Sequence, residues 1–256
     1  MKKYVQEATD INIWTSIKNN TFGRNKDIKE FIDGLELIDE SACISLDAKW
    51  GDGKTFFVRQ IEEVLKYVLA NQRADEENPI EKIPSYEYLK DNEMMAKIDL
   101  KHSYLPIYYN AWMYDNHSDP LMSLLLVMTK TCKGVYDTKI DSEKISEKLI
   151  KALSTLPISL GEFKMNPFTV AEKLQVKKVD ILSLVQTEEE IRERVKGIFN
   201  DIIVERAQKL IIFIDELDRC RPSFAIEMLE RIKHYFDDER VIFVVSLNKE
   251  QLIHTI

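Results

Sequence analysis

Cysteine pairs, long apolar runs, a surplus of positive charge and internal repeats are all missing from this 256-residue chain, and each absence removes a class of protein. The three cysteines, Cys43, Cys132 and Cys220, form no CxxC pair and cannot all pair with one another, which excludes a disulfide scaffold and suits a reducing, cytoplasmic setting. The four histidines stand at no ligand spacing from a cysteine or from each other, so no structural zinc site is implied. Nothing apolar follows the two lysines of the N-terminal MKKYVQEATDIN, which therefore does not read as a secretory signal. The longest strongly apolar run, Leu121 to Met128, is broken by Ser123 and falls far short of the ~20 residues that span a bilayer. With 44 acidic against 36 basic residues and a formal charge of −8, the chain is not a general nucleic-acid binder. A local basic patch, and with it nucleic acid as a partner, stays open. No repeat with a period of about 20 to 50 residues is visible.

The apolar share of 45% is enough for a sizeable core, so the length fits one large α/β domain or a core with insertions. Residues 42 to 47 (ACISLD) read as a short buried strand, and from Lys54 the positions Val58, Ile61, Leu65, Val68 and Leu69 take up helical spacing. Residues 72 to 103 are polar, charge-rich and broken by Pro79 and Pro84, which marks a surface insertion with room for short helices. A second strand is expected over Tyr104 to Asn110, and Asp119-Pro120 opens a helix through about Cys132. The stretch 134 to 187 shows no clear period and is expected to be a helical or flexible insertion. Thr187 and Glu190 then form a capping box before a helix with Ile191, Val195, Ile198, Phe199, Ile202 and Ile203 on one face. Leu210 to Ile214 and Val241 to Leu247 are continuous apolar runs of the kind buried on both faces in a parallel sheet, with a helix over 223 to 236 between them. Alternating strands and helices indicate a doubly wound parallel sheet, whose ligand crevice lies outside the carboxyl ends of the strands.

Lys54, Asp215 and Asn248 each follow the end of a separate strand and so converge on that crevice. The phosphate-loop template GxxxxGK[ST] is met by Ala48-Lys49-Trp50-Gly51-Asp52-Gly53-Lys54-Thr55, with alanine in the first glycine's place. That substitution matters only if the backbone there needs a positive φ. Small residues at Gly51 and Gly53 let backbone N–H groups wrap phosphates, Lys54 reaches the β and γ oxygens, and the Thr55 hydroxyl ligates Mg²⁺. The binding set runs over Trp50, Gly51, Asp52, Gly53, Lys54, Thr55 and Phe56, with Trp50 expected to pack rather than stack on a base. Asp215 and Glu216, adjacent at a strand end and pointing different ways, supply a carboxylate for the ion and a second one to polarise water. Asn248 is placed either to sense the γ-phosphate or to cap the segment after it. Arg219 and Arg221 are either transition-state cations or surface ion pairs, with Asp218 able to orient them.

On these residues the chain resembles the KAP family of P-loop NTPases, related to the STAND and AAA+ branches of the ASCE class. The resemblance rests on Phe22-Gly23-Arg24, the WGDGKT loop, Tyr109-Asn110-Ala111-Trp112 and Phe213-Ile214-Asp215-Glu216-Leu217-Asp218-Arg219-Cys220. It implies that Gly23 and Arg24 sit near the adenine and that the YNAW segment packs beside the site, bringing Asp115 or Tyr114 towards the nucleotide. It also implies a fifth strand and a helical C-terminal part after Ile256, so the chain reads as a core lacking its C-terminal portion. Many relatives carry transmembrane helices between the phosphate loop and the strand that ends in the acidic pair, where this chain has long polar insertions. The expectation is an ATP- or GTP-binding, Mg²⁺-dependent ATPase acting as a switch or motor with a protein partner or by self-association, in a prophage or phage-defence setting. The alternatives are a nucleotide-binding scaffold with little turnover and a DNA-processing STAND or AAA+ type ATPase.

Overall fold

The computed structural model describes residues 7–75, 79–117, 119–134, 207–235 and 238–255, together with Glu193, Lys196, Gly197, Phe199, Asn200 and Ile203. The expected insertion over 134 to 187 and the capping box at Thr187 and Glu190 lie outside the described residues.

Two helices precede the first strand. Helix α1 (Asp10–Lys18) is capped by the Thr9 hydroxyl, which accepts from the Asn12 amide. Helix α2 (Asn25–Leu35) buries Ile28, Ile32 and Leu35, spaced by four and three residues on one face. Strand β1 (Ala42–Asp47) leads through the glycine-containing loop to the long helix α3 (Lys54–Gln72). After the short helix α4 (Tyr86–Leu89) come β2 (Tyr104–Asn110) and α5 (Pro120–Gly134), then β3 (Lys209–Asp215), α6 (Pro222–Tyr235), β4 (Val241–Leu247) and α7 (Lys249–Thr255).

The four strands form one parallel sheet in the order β1-β4-β3-β2. This is an α/β core, as the alternation of elements in the sequence implies. The two central strands, β3 and β4, are buried along their whole length, which explains why they read as unbroken apolar runs. Strand β2 sits at one edge, where Pro106 removes no ladder donor that the sheet needs. Strand β1 differs from its expectation as a buried strand: it is the other edge, and Cys43, Ser45 and Asp47 on its outer face are exposed. Only its inner face, Ala42, Ile44 and Leu46, packs on the core.

That core lies between one face of the sheet and helices α1 to α3. Val58, Ile61, Val64 and Leu65 of α3 meet Ile211 and Phe213 of β3 and Ile242 and Val244 of β4, all of them at most 1% exposed. The stretch 72 to 103 is more than a surface insertion, because Leu89, Met94 and Leu100 join this same core. Polar contacts fasten α1 to α3. Asp10 pairs with Arg59 at 2.8 Å, the Trp14 indole donates to Glu63 at 2.6 Å, and Gln60 donates to the buried Ser16 hydroxyl at 2.8 Å.

The chain divides into two compact units, and helices α5 and α6 belong to the second. There Asp119 caps α5 by accepting from the Leu121 amide at 2.8 Å, with Pro120 as the first helical residue. The two helices pack on each other and are joined by Arg231 and Asp119 at 3.5 Å. Among the described residues no helix is long and apolar enough to cross a membrane.

Two nearly buried carboxylates, Glu62 and Glu63, share one cation, Lys66, at 2.7 and 2.8 Å. Burial pushes the Glu62 carboxyl above its ordinary range, against the pull of Lys66 and Arg59. Removing this cation in Lys66→Met is expected to destabilise the fold by about 3 kcal/mol, because it leaves Glu62 with Arg59 alone and takes the ion-pair partner from the buried Glu63. A carboxyl whose pKa is higher folded than unfolded regains stability as pH falls through the folded value, so the deficit should be smaller at a mildly acidic pH than at neutral pH. Urea denaturation at the two pH values checks this, and a deficit that grows on acidification contradicts it.

Candidate functional site

The register lines up the strand ends. Leu46 of β1, Ser246 of β4, Asp215 of β3 and Asn110 of β2 form one row across the sheet, near the carboxyl end of each strand. Registered residues on a pleated sheet share a face, and two-residue alternation puts this row on the side of Ile44, Val244 and Phe213, the side covered by α3. The loop before α3 and the carboxylate after β3 therefore belong to one end and one face of the same unit.

The loop begins as an extension of the sheet, with the Ala48 amide donating to the Leu247 carbonyl at 3.3 Å. Gly51 and Gly53 then take φ of +92° and +81°, which only glycine adopts without strain. Ala48 is not among the described residues with positive φ, so alanine is tolerated in the first glycine's place. A side chain at Gly53 would also meet the Arg24 guanidinium at 3.1 Å. The Asp52 carboxylate accepts from the Lys49 amide at 3.1 Å and closes the turn. The ammonium of Lys54 folds back onto the carbonyls of Ala48 and Lys49, at 2.5 and 3.2 Å. Thr55 lies in the first turn of α3, while Phe56 packs against the core below it.

Arg24 holds this loop from outside. Its guanidinium donates to the carbonyls of Asp52 at 2.9 Å and Gly53 at 3.1 Å and sits over the Phe57 ring. The turn that delivers it is strained: Asn20 and Phe22 have φ of +48° and +60°, followed by Gly23 at +70°. Phe22 itself is 91% exposed. A cleft of about 430 Å³ opens here, lined by Arg24, Asp27, Asp47, Asp52, Gly53 and Lys54 among others.

Asp215 is 1% exposed, and neutral donors satisfy both of its oxygens. One accepts from the Glu216 amide and the other from the Tyr108 hydroxyl, each at 3.0 Å. Burial, then the neighbouring Asp215 charge, push the Tyr108 hydroxyl far above its ordinary pKa, so it stays a donor. The Tyr108 ring carries the Arg59 guanidinium 4.7 Å above it, and Arg59 is in turn held by Glu62 and Asp10. Sequence reasoning missed Tyr108. The signal was the two-residue alternation along β2, which puts it on the same face as Asn110.

Glu216 adopts a left-handed conformation, φ +59°. Asn110 donates to one of its carboxylate oxygens at 3.0 Å, and Arg219 pairs with the other at 3.1 Å. Arg219 also lies over the Trp112 ring. Asp218 orients neither arginine, contrary to expectation; it accepts from the Trp50 indole at 2.5 Å, which fixes an otherwise half-exposed tryptophan. Arg221 pairs with Asp115 inside the second unit, and both its amide and its guanidinium take part. Asn248 caps the segment after it, its side chain accepting from the Gln251 amide at 3.2 Å. Arg24, expected near a base, contacts the phosphate loop itself.

A glycine-bounded loop at a helix N-terminus, beside a buried strand that ends in two carboxylates, defines the P-loop nucleotide-binding class of α/β proteins. A family model described as the KAP family P-loop domain matches residues 24–256, and the chain belongs to that family. Comparison with curated proteins returns no significant match.

Two charge-assisted hydrogen bonds from Arg24 hold the Asp52 and Gly53 carbonyls and so brace the loop. In Arg24→Ala the nucleotide affinity is expected to fall about tenfold, the size of one such bond. Isothermal titration with a nonhydrolysable triphosphate measures it, and an unchanged dissociation constant would remove Arg24 from the site.

Proposed function

We propose that the chain binds ATP with Mg²⁺ and hydrolyses it, and that the cycle works as a switch or motor on a protein partner or on further copies of the chain. The observation that carries this reading is Asp215: a buried carboxylate that, among the described residues, has only neutral donors for partners. Such a charge is costly without a cation. It stands beside a second carboxylate, on the sheet face that meets the phosphate-loop helix.

The donor set fits Mg²⁺, with the Thr55 hydroxyl and the Asp215 carboxylate as hard oxygen ligands. When bound, the ion would neutralise charge developing on the triphosphate. The chain supplies the rest. Lys54 exchanges its two loop carbonyls for phosphate oxygens, and the amides of the loop and the first turn of α3 receive the remaining charge. Glu216 takes a proton from the attacking water, for which one of its two present contacts, Asn110 or Arg219, has to open. A freed Arg219 is a cation within reach of that same carboxylate. Phage defence or another prophage-borne role is the setting that family membership suggests.

Lys54→Ala is expected to abolish triphosphate binding. Glu216→Gln is expected to retain binding while phosphate release falls by about 10²- to 10⁴-fold, the usual contribution of a general base. Steady-state phosphate release alongside equilibrium binding tests both. Equal ATP affinity for Lys54→Ala and the parent chain would sink the site assignment, and equal turnover for Glu216→Gln would sink the hydrolytic role. A nucleotide-holding scaffold is favoured instead by the closed state of Glu216, both of whose oxygens are engaged. Tight ATP binding by the parent chain without any phosphate release would select it.

A further inference from the structure

Along β4 the face turned to α3 reads Ile242, Val244, Ser246, and the first two are core residues. Ser246 continues their row, is fully buried, and among the described residues no group accepts from or donates to its Oγ. An unpaired buried hydroxyl is destabilising, and an alanine there would avoid the penalty. Nothing among the described residues repays it.

Its neighbours supply a reason. Ser246 is in register with Leu46, two residues before the phosphate loop starts at Ala48, and on its other side with Asp215. Adjacent strands stand roughly 4.8 Å apart, so the hydroxyl shares a face with the Asp215 carboxylate one strand away. It does not serve that carboxylate, whose oxygens are taken by Tyr108 and the Glu216 amide. The orphan donor thus sits between the loop and the acidic pair, aimed at the side where both converge.

We propose that Ser246 is a binding residue, whose hydroxyl donates to an oxygen of a hydrated Mg²⁺–triphosphate complex. This rests on the nucleotide-binding reading above. The ligand-free protein carries the unpaired group as a standing penalty, and the ligand relieves it.

The two consequences have opposite signs, which separates this role from ordinary packing. Ser246→Ala is expected to raise the Tm of the nucleotide-free protein, yet to weaken Mg²⁺–triphosphate binding about tenfold, the loss of one charge-assisted hydrogen bond. Ser246→Thr keeps the hydroxyl and is expected to retain the parent's affinity. Thermal unfolding with and without a nonhydrolysable ATP analogue, together with titration calorimetry in Mg²⁺ and in chelator, reads all of this. A deficit confined to the Mg²⁺ arm assigns the acceptor as a water of the ion's shell, and a deficit in both arms assigns a phosphate oxygen. Equal affinity of Ser246→Ala and the parent, or equal losses in the alanine and threonine variants, would overturn the proposal while leaving the nucleotide site standing. A parent chain that binds no triphosphate in either arm would overturn both.

Discussion

Everything at the candidate site is arranged around the Asp215 carboxylate, an anion held at the end of a fully buried strand without a counter-charge of its own among the described residues. The parallel register fixes where it emerges, since β3 is paired along its length with β2 on one side and β4 on the other. The Tyr108 hydroxyl and the Glu216 amide fix which way it points. Neutral donors orient a carboxylate without neutralising it, so its charge remains directed at the face of α3. A lysine or arginine in their place would have quenched it.

The loop before α3 follows the same logic with the sign reversed. Lys54 and the helix N-terminus are positive, and with no anion present the lysine is satisfied by two carbonyls of its own loop. Arg24 takes two further carbonyls from the outside. The loop is therefore held in shape by contacts to its carbonyls and by its own Lys49 and Asp52 amides. Preorganisation of this kind lowers the ordering cost of binding. Behind the loop, the ties between α1 and α3 at Asp10, Trp14 and Ser16 anchor the helix whose first turn has to stay aligned.

The architecture was largely legible in the sequence because burial dictates composition. Leu210 to Ile214 and Val241 to Leu247 can only be apolar throughout if both faces are covered, and the strands found there match those runs to within a residue at each end. β1 misled for a related reason: six residues with alternate apolar positions do not distinguish a buried strand from an edge whose outer face meets solvent. At the site, the positions of Lys54, Thr55, Asp215 and Glu216 follow from two local motifs, each contiguous in the chain. What stayed illegible was pairing across distance. Trp50 with Asp218, Tyr108 with Asp215 and Arg24 with the loop carbonyls join residues separated by tens of positions or more, and no local pattern encodes which partner each will meet.

Glu216 shows how such pairings bear on chemistry. Its neighbours Asn110 and Arg219 come from β2 and from the turn after β3, so a shift of either element changes what the carboxylate can do. With both contacts made, each of its oxygens is engaged by a donor. Its left-handed backbone is strained. Arg219 is the more exposed of the two restraints and rests on the exposed Trp112 ring, whereas Asn110 stands at the end of a strand. Release of the arginine would free a carboxylate oxygen and a cation in the same movement.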